Sequence, residues 1–224
     1  MRHRRDGMTV EPSQWQELAR NSGLMFHASF GDFRSSLPAL QAEFAALDRD
    51  AEPSLRDFHG CDGSWSSLSL IERGRRPLSP GVATSGLSLM PTAAALFHRA
   101  GWNVIGAHIL RQPPHGLLPW HYEDQAPYSA ETRLLFPLHA PDGSRTLVGH
   151  ESVCYPEGMG WGADVNQPHQ VENPADRQRI IMVVDVVSDD HLRSLFPAPL
   201  LSDLTQRMDL ATQGRQLVLQ WRQQ

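Results

Sequence analysis

RIIMVVDVV, residues 179–187, is a mostly β-branched apolar run of strand length, opened by an arginine and interrupted by one aspartate. Three comparable runs precede it: Asn103–Arg111, Arg133–His139 and His150–Tyr155. Pro, Gly, Asp and Asn crowd the segments between them, and none carries the pattern of a helical crossover. Further upstream, WSSLSLIERG from Trp65 alternates in polarity and predicts another strand. Short strands joined by turn chemistry argue for an antiparallel sandwich or barrel rather than a parallel α/β sheet. The expected fold is mainly β with flanking helices: a double-stranded β-helix, the jelly roll or cupin-like architecture.

Helical signals lie at the two ends. A short helix is expected through Glu11–Arg20. A better one runs over Ser36–Leu47, where Leu37, Leu40, Phe44 and Leu47 recur at helical spacing, Ser36 is placed to cap, and Pro38 occupies the tolerated first turn. PTAAALFHRAG predicts a helix opening at Pro91 and closing at Gly101. In the tail, Leu204, Met208, Ala211, Leu217 and Trp221 mark a partly apolar stripe weakened by Gly214. The chain is read as one domain, with a helical part over 1–60, a jelly-roll core over 61–188 and C-terminal helices over 189–224.

Composition narrows the function classes. A chain of 224 residues can bury a sufficient core without disulfides. A formal charge of −5 gives no electrostatic reason to expect a nucleic acid or an anionic membrane as partner. Cys61 and Cys154 are too few for a disulfide framework and are expected as buried or inert thiols. The basic start, MRHRRDGM, is followed by no apolar run, so neither a signal peptide nor a membrane span is expected. A cytoplasmic setting follows as the expectation.

Four polar residues then stand out in order: His121 and Glu123 in LPWHYED, His169 in NQPHQVEN, and Arg179. Two imidazoles and one carboxylate on one side of a metal suit non-haem Fe(II) and leave coordination positions open. His121 and Glu123 alone mean little, since eleven His and 25 acidic residues in this chain make about one such spacing expected by chance. On extended backbone, however, residues i and i+2 share a face, so both can reach one metal while Tyr122 turns away. Asp124 is the rival carboxylate if the chain turns there. Arg179 shares strand parity with Ile181 and Val183, and a core-facing arginine needs an anionic partner. A dicarboxylate co-substrate such as 2-oxoglutarate supplies one to its two-pronged guanidinium. Arg133, in ETRLLFPL, makes the same case one strand earlier, for the co-substrate or for a substrate carboxylate. Trp120, Tyr122 and His108 are the candidate substrate contacts.

These motifs resemble the aspartyl/asparaginyl β-hydroxylase-like superfamily, including the bacterial cis-proline hydroxylases. WSSLSL, PWHYED…RLLFPL, PEGMGW and PHQVENPADRQRIIMVVD carry the resemblance over about residues 65–187. It implies a jelly-roll enzyme dependent on Fe(II), 2-oxoglutarate and O2, hydroxylating an aliphatic carbon of a proline-like amino acid or of an Asp/Asn-type residue in a peptide. Carried over by position, His121 and His169 are the metal imidazoles and Arg179 the 2-oxoglutarate anchor. The proline hydroxylases place Asp two residues after the first His, whereas this chain has Glu123, and one branch of the superfamily lacks the carboxylate. The third ligand therefore stays open between Glu123, Asp124 and none. Two other readings remain: a metal-dependent cupin enzyme that does not use 2-oxoglutarate, and a non-catalytic jelly-roll binding module.

Overall fold

The computed structural model describes residues 13–59 and 65–223. Its strands are β1 His27–Asp32, β2 Arg56–His59, β3 Trp65–Glu72, β4 Val82–Ala83, β5 Val104–Gln112 and β6 Leu117–His121. They continue with β7 Glu131–His139, β8 Arg145–Val148, β9 Glu151–Val153, β10 Met159–Ala163, β11 His169–Glu172 and β12 Arg179–Val187. The helices are α1 Gln14–Ser22, α2 Leu37–Asp50, α3 Ser85–Ser88, α4 Pro91–Ala100, α5 Asp190–Arg193, α6 Ala198–Leu201 and α7 Leu204–Trp221.

The strands form two antiparallel sheets. The larger runs β1-β10-β7-β12-β5-β3-β2, with β4 added on β3, and the smaller runs β6-β11-β8-β9. This is the expected jelly roll, and β12 lies at the centre of its major sheet, between β5 and β7. Strand parity divides that sheet's residues into two sets. Ile180, Met182, Val184 and Val186 join Leu134, Phe136, Ile109 and Leu68 in a core with Leu40, Phe44 and Leu47 of α2 and Phe97 of α4. The alternate set, Ile181 and Val183 with Leu135, packs with Val148 and Val165 on the other side. Met182 is wholly buried in the first core, where truncation to Ala costs about 2–5 kcal/mol.

Helix α4 opens at Pro91 and closes on Gly101 at φ +67°, as read from the sequence. Ser36 precedes α2 but makes no capping bond, because its own backbone is already helical (φ −94°, ψ −14°). Helix α1 begins at Gln14 and ends at Ser22, later than expected, and is held by a reciprocal capping box between Ser13 and Gln16. Glu11 and Cys61 lie outside the described residues. Cys154 is a free thiol and exposed, not buried. The expected strand at His150–Tyr155 is shorter, Glu151–Val153, because Gly149 (φ +54°) and His150 form the two-residue turn from β8. Among the described residues, no helix is long and apolar enough to cross a membrane.

Candidate metal centre

The smaller sheet brings the two histidines together. His121 ends β6, His169 begins β11, and the two are direct partners across the antiparallel pair, with ring centroids 3.9 Å apart. The register slips between His169 and Val171, so the pair sits at an irregularity in the ladder. Beyond β6 the chain leaves the ladder, yet the two-residue parity persists through Glu123, whose N–H donates to the Val165 carbonyl at 2.9 Å. One ligand atom from each of His121, Glu123 and His169 lies within 4.8 Å of the others. Asp124 is outside this group: its side chain is 92% exposed and pairs with Arg215.

Both imidazoles are held by the same local device. His121 Nδ1 meets the Pro119 carbonyl at 2.8 Å, and His169 Nδ1 meets the Gln167 carbonyl at 3.0 Å. Each Nδ1–H donates to a carbonyl two residues back, which leaves the Nε2 lone pair for a cation. Burial lowers the His121 pKa, with the Pro119 carbonyl and Glu123 acting against it. Burial also takes His169 well below 6.5, and His121 beside it adds to the effect.

The triad faces a cavity of about 70 Å³ between the sheets. Its polar lining is His121, Glu123, His169, Arg133, Thr146 and Arg179, set among Leu110, Leu135, Val171, Ile181 and other apolar side chains. Arg179 is 6% exposed, and its Nη2 donates to the Thr146 Oγ1 at 3.1 Å. Among the described residues no carboxylate pairs with it. Burial accordingly drives the guanidinium pKa down to about 10, with Tyr155 and Cys154 opposing. A buried cation facing a cavity without a counter-ion fits an incoming anion. Three donors of the right type and this guanidinium in one cavity fit a divalent metal with a bidentate acid beside it.

Arg133 is differently placed from the sequence reading. It lines the cavity, but its Nε and Nη2 donate to the Asp185 carboxylate at 2.8 and 3.1 Å, and its Nη1 pairs with Glu123. Arg73 adds a second cation on Asp185 at 2.8 Å. The Asp185 carboxyl stays below its ordinary pKa because, against burial, Arg133 and Arg73 hold it ionised. With three N–H groups committed of the five a guanidinium has, Arg133 has no open fork for a bidentate carboxylate.

Trp120 and Tyr122 lie outside the cavity lining. They alternate with His121 and turn away from the cavity. Trp120 packs edge-on against Trp15 at 5.4 Å, and Arg215 stacks over Tyr122 at 4.7 Å. Neither forms a wall of the cavity. His108 is half-buried on the Leu110 side of β5, near enough to Asp185 to influence its ionisation, and is not part of the cavity lining either.

Sequence reasoning missed the role of α7. Arg215 donates to the Glu123 carbonyl at 2.9 Å, to Asn166 Oδ1 at 2.5 Å and to Asp124 at 3.1 Å, bridging the Glu123 segment to the one leading to His169. Arg207 forms a wholly buried pair with Asp164 at 3.1 Å, and Gln167 donates to its backbone carbonyl at 3.0 Å. Arg222 holds the Trp120 carbonyl at 2.7 Å. Both segments that carry the candidate ligands are thus held by one helix. The sequence signal was three arginines at spacings of eight and seven along α7.

Residues 28–189 match the profile of a family described as aspartyl/asparaginyl beta-hydroxylase. The chain belongs to that family. As a member of a β-hydroxylase family it is an oxygenase enzyme. Its fold is similar to an oxidoreductase of the 2OG-Fe(II) oxygenase family from Burkholderia pseudomallei (TM-score 0.53, 12% identity, covering 85% of this chain and 94% of that one). It is also similar to the non-heme α-ketoglutarate-dependent carbocyclase SnoK from nogalamycin biosynthesis (TM-score 0.52, 14% identity, 84% and 92% covered). At such identities the likeness is one of fold. No curated protein matches the sequence.

Proposed function

We propose that His121, Glu123 and His169 hold Fe(II), that Arg179 anchors the distal carboxylate of 2-oxoglutarate, and that the enzyme hydroxylates an aliphatic carbon. The substrate class we assign is a free amino acid, proline-like, or an Asp/Asn-type residue in a peptide. One observation carries the reading: an unpaired buried guanidinium opens into the same cavity as the three metal-type donors.

When bound, iron with its 2-oxo acid supplies the oxidising power for attack on an unactivated C–H bond. The chain's own residues do the rest. Pro119 and Gln167 fix both imidazoles with Nε2 free. Glu123 Oε2 is taken by Arg133, which leaves Oε1 as its metal donor and fixes the carboxylate's rotation. Leu110, Leu118, Leu135, Val165, Val171, Ile181 and Val183 line the cavity with hydrocarbon and exclude water from the reacting carbon. Arg133 retains N–H groups for a single contact to a substrate carboxylate, and Asp185 behind it balances the charge so that no net cation is buried there.

The test is an anaerobic titration with Fe(II) followed by 2-oxoglutarate, watching for the visible band of the chelate. Its appearance, with succinate released on admitting O2 and a matching amino acid or short peptide, supports the assignment. A well-folded protein that gives no band is the binding module instead.

A further inference from the structure

Charged side chains alternate in sign from the candidate metal centre to the surface of the major sheet. Glu123 pairs with Arg133, Arg133 with Asp185, Asp185 with Arg73, and Arg73 with Glu131. Strand register places the middle of this chain. Asp185 shares the parity of Arg179, Ile181 and Val183 on β12, and it interrupts an otherwise apolar run. It stands opposite Arg133 on β7 and opposite Gly106 on β5. Gly106 brings no side chain, and Arg73 crosses there: a Cβ on Gly106 would lie 3.3 Å from Arg73 Cγ. Arg73 Nη2 reaches Asp185 Oδ2 at 2.8 Å, and its two Nη groups hold the Glu131 carboxylate at 3.0 and 2.9 Å.

The links are unequal. The Asp185 side chain is 1% exposed and Arg133 is 15% exposed, whereas Arg73 is 47% exposed. Burial opposes the charge on Arg133, and Asp185, ahead of Glu123, outweighs it, so the guanidinium pKa stands above its ordinary value. Asp185 is the principal counter-ion of Arg133, accepting from its Nε and Nη2 at 2.8 and 3.1 Å. A buried cation requires such a partner. With Asp185 neutral, Glu123 alone would have to balance Arg133, and a carboxylate committed to one cation has less charge to offer another. Two guanidiniums and three carboxylates leave one negative charge over, and the acid at the inner end of the chain, Glu123, lines the cavity.

We infer that Asp185 and Arg73 are positioning residues of the metal centre. Asp185 takes up the charge of Arg133 and so keeps Glu123 available to the metal, and Arg73, shared with Glu131, sets how much of Asp185 is left for that task. The inference rests on the ligand role proposed for Glu123. It has a signature that a brace holding the fold together lacks: loss of successive links shifts the metal affinity in alternating directions. Neutralising Asp185 returns Arg133 to Glu123 and weakens the metal. Removing Arg73 leaves Asp185 wholly to Arg133 and strengthens it. Neutralising Glu131 turns Arg73 fully onto Asp185 and weakens it again.

The experiment titrates Co(II), a divalent probe that takes the same nitrogen and oxygen donors, into the full chain by calorimetry. It is run at about 0.1 M and about 1 M KCl, where the screening length is about 10 Å and about 3 Å. Asp185→Asn is expected to weaken Co(II) about tenfold. Glu131→Gln should weaken it about two- to threefold, and Arg73→Met should tighten it by a similar factor. These directions should persist at the higher salt, because they pass through direct contacts. In a Glu123→Ala background, Asp185→Asn should add nothing. If Asp185→Asn fails to fold, the two outer variants still carry the test through their opposite signs. Weakening by all three makes the chain a structural brace, and a pattern that vanishes at about 1 M KCl makes it the general field of surface charge; either overturns the inference, as does no change in any of them. If Glu123→Ala loses Co(II) while Asp185→Asn keeps native affinity, only this inference falls. If Glu123→Ala binds Co(II) as the native protein does, the ligand reading falls with it.

Discussion

Arg179→Met should stabilise the ligand-free protein while destroying its affinity for 2-oxoglutarate. Burial takes the guanidinium pKa from 12.5 to about 10, which corresponds to about 3 kcal/mol against keeping the charge in place. Thr146 compensates with a single hydrogen bond. Methionine removes that penalty and retains much of the stem's packing between Ile181 and the smaller sheet. Allowing for the packing lost, the gain is about 1–2 kcal/mol, or a rise of about 2–8 °C in melting temperature for a domain of this size. On the proposed anchor role, this guanidinium makes charge-assisted bonds to the co-substrate carboxylate, each worth about 1.5–3 kcal/mol, so the variant is expected to lose at least about 100-fold in co-substrate affinity. Calorimetric melting with and without 2-oxoglutarate, on Fe(II)-loaded protein under nitrogen, reads both quantities at once. The native protein melts higher with ligand, and the variant melts at one temperature throughout. A variant that melts lower than native and still gains stability from 2-oxoglutarate would refute the reasoning, because Arg179 would then be a structural cation.

Three further outcomes are expected. Glu123→Ala should abolish tight Fe(II) binding while Asp124→Ala retains it, read by metal titration; iron loss confined to the Asp124 variant would reassign the ligand. Arg207→Leu strands the Asp164 carboxylate in the interior and should cost about 3–5 kcal/mol by denaturant unfolding, and a change under 1 kcal/mol would show that Asp164 finds another partner. For pH, His27 is held neutral to about pH 3, whereas an unfolded histidine binds its proton near 6.5. The unfolded state therefore carries more protons between those values, and stability falls as pH drops through that window, by a few kcal/mol. Asp164, raised to about 6 by burial against the pull of Arg207, acts with the opposite sign between 3.8 and 6. The native-minus-His27→Gln difference across the window isolates the histidine, and a flat difference would mean that His27 is charged when folded.

Period and turn chemistry made the major sheet legible. The run at 179–187 is β12 residue for residue, and Pro91 with Gly101 framed α4 because a fixed φ and a left-handed cap act locally. Strands β1, β6, β10 and β11 escaped, since His27–Asp32, Leu117–His121, Met159–Ala163 and His169–Glu172 are short or rich in Gly, Pro and polar residues. Their pairing is decided by partners far along the chain rather than by composition. The same limit applied at the cavity. Two-residue parity placed His121 and Glu123 on one face and turned Tyr122 away, but nothing local showed that Asp185 would occupy the fork of Arg133. An aspartate inside an apolar strand was the available signal, because a buried carboxylate requires a cation across the ladder, and Arg133 is its register partner.

Helix α7 shows why the candidate metal centre extends past the family boundary. The family match ends at residue 189, yet the carbonyl of Glu123, the side chain of Asn166 and the carboxylate of Asp164 are all held by arginines beyond residue 200. Two loops that carry candidate ligands from different strands have no covalent reason to stay in register, and a spacing error of about 1 Å is enough to spoil a metal site. Arg215 removes that freedom by spanning both loops with one guanidinium, and Arg207 anchors the same helix through an ion pair that water does not reach. In sequence the tail reads as a weak amphipathic helix because its buried face mixes Leu210, Ala211 and Val218 with Gly214 and the long polar Arg207. The helix buries Leu210, Ala211 and Val218, and the directional bonds of Arg207, Arg215 and Arg222 fix the seat of that buried face, and through it the positions of Glu123 and His169.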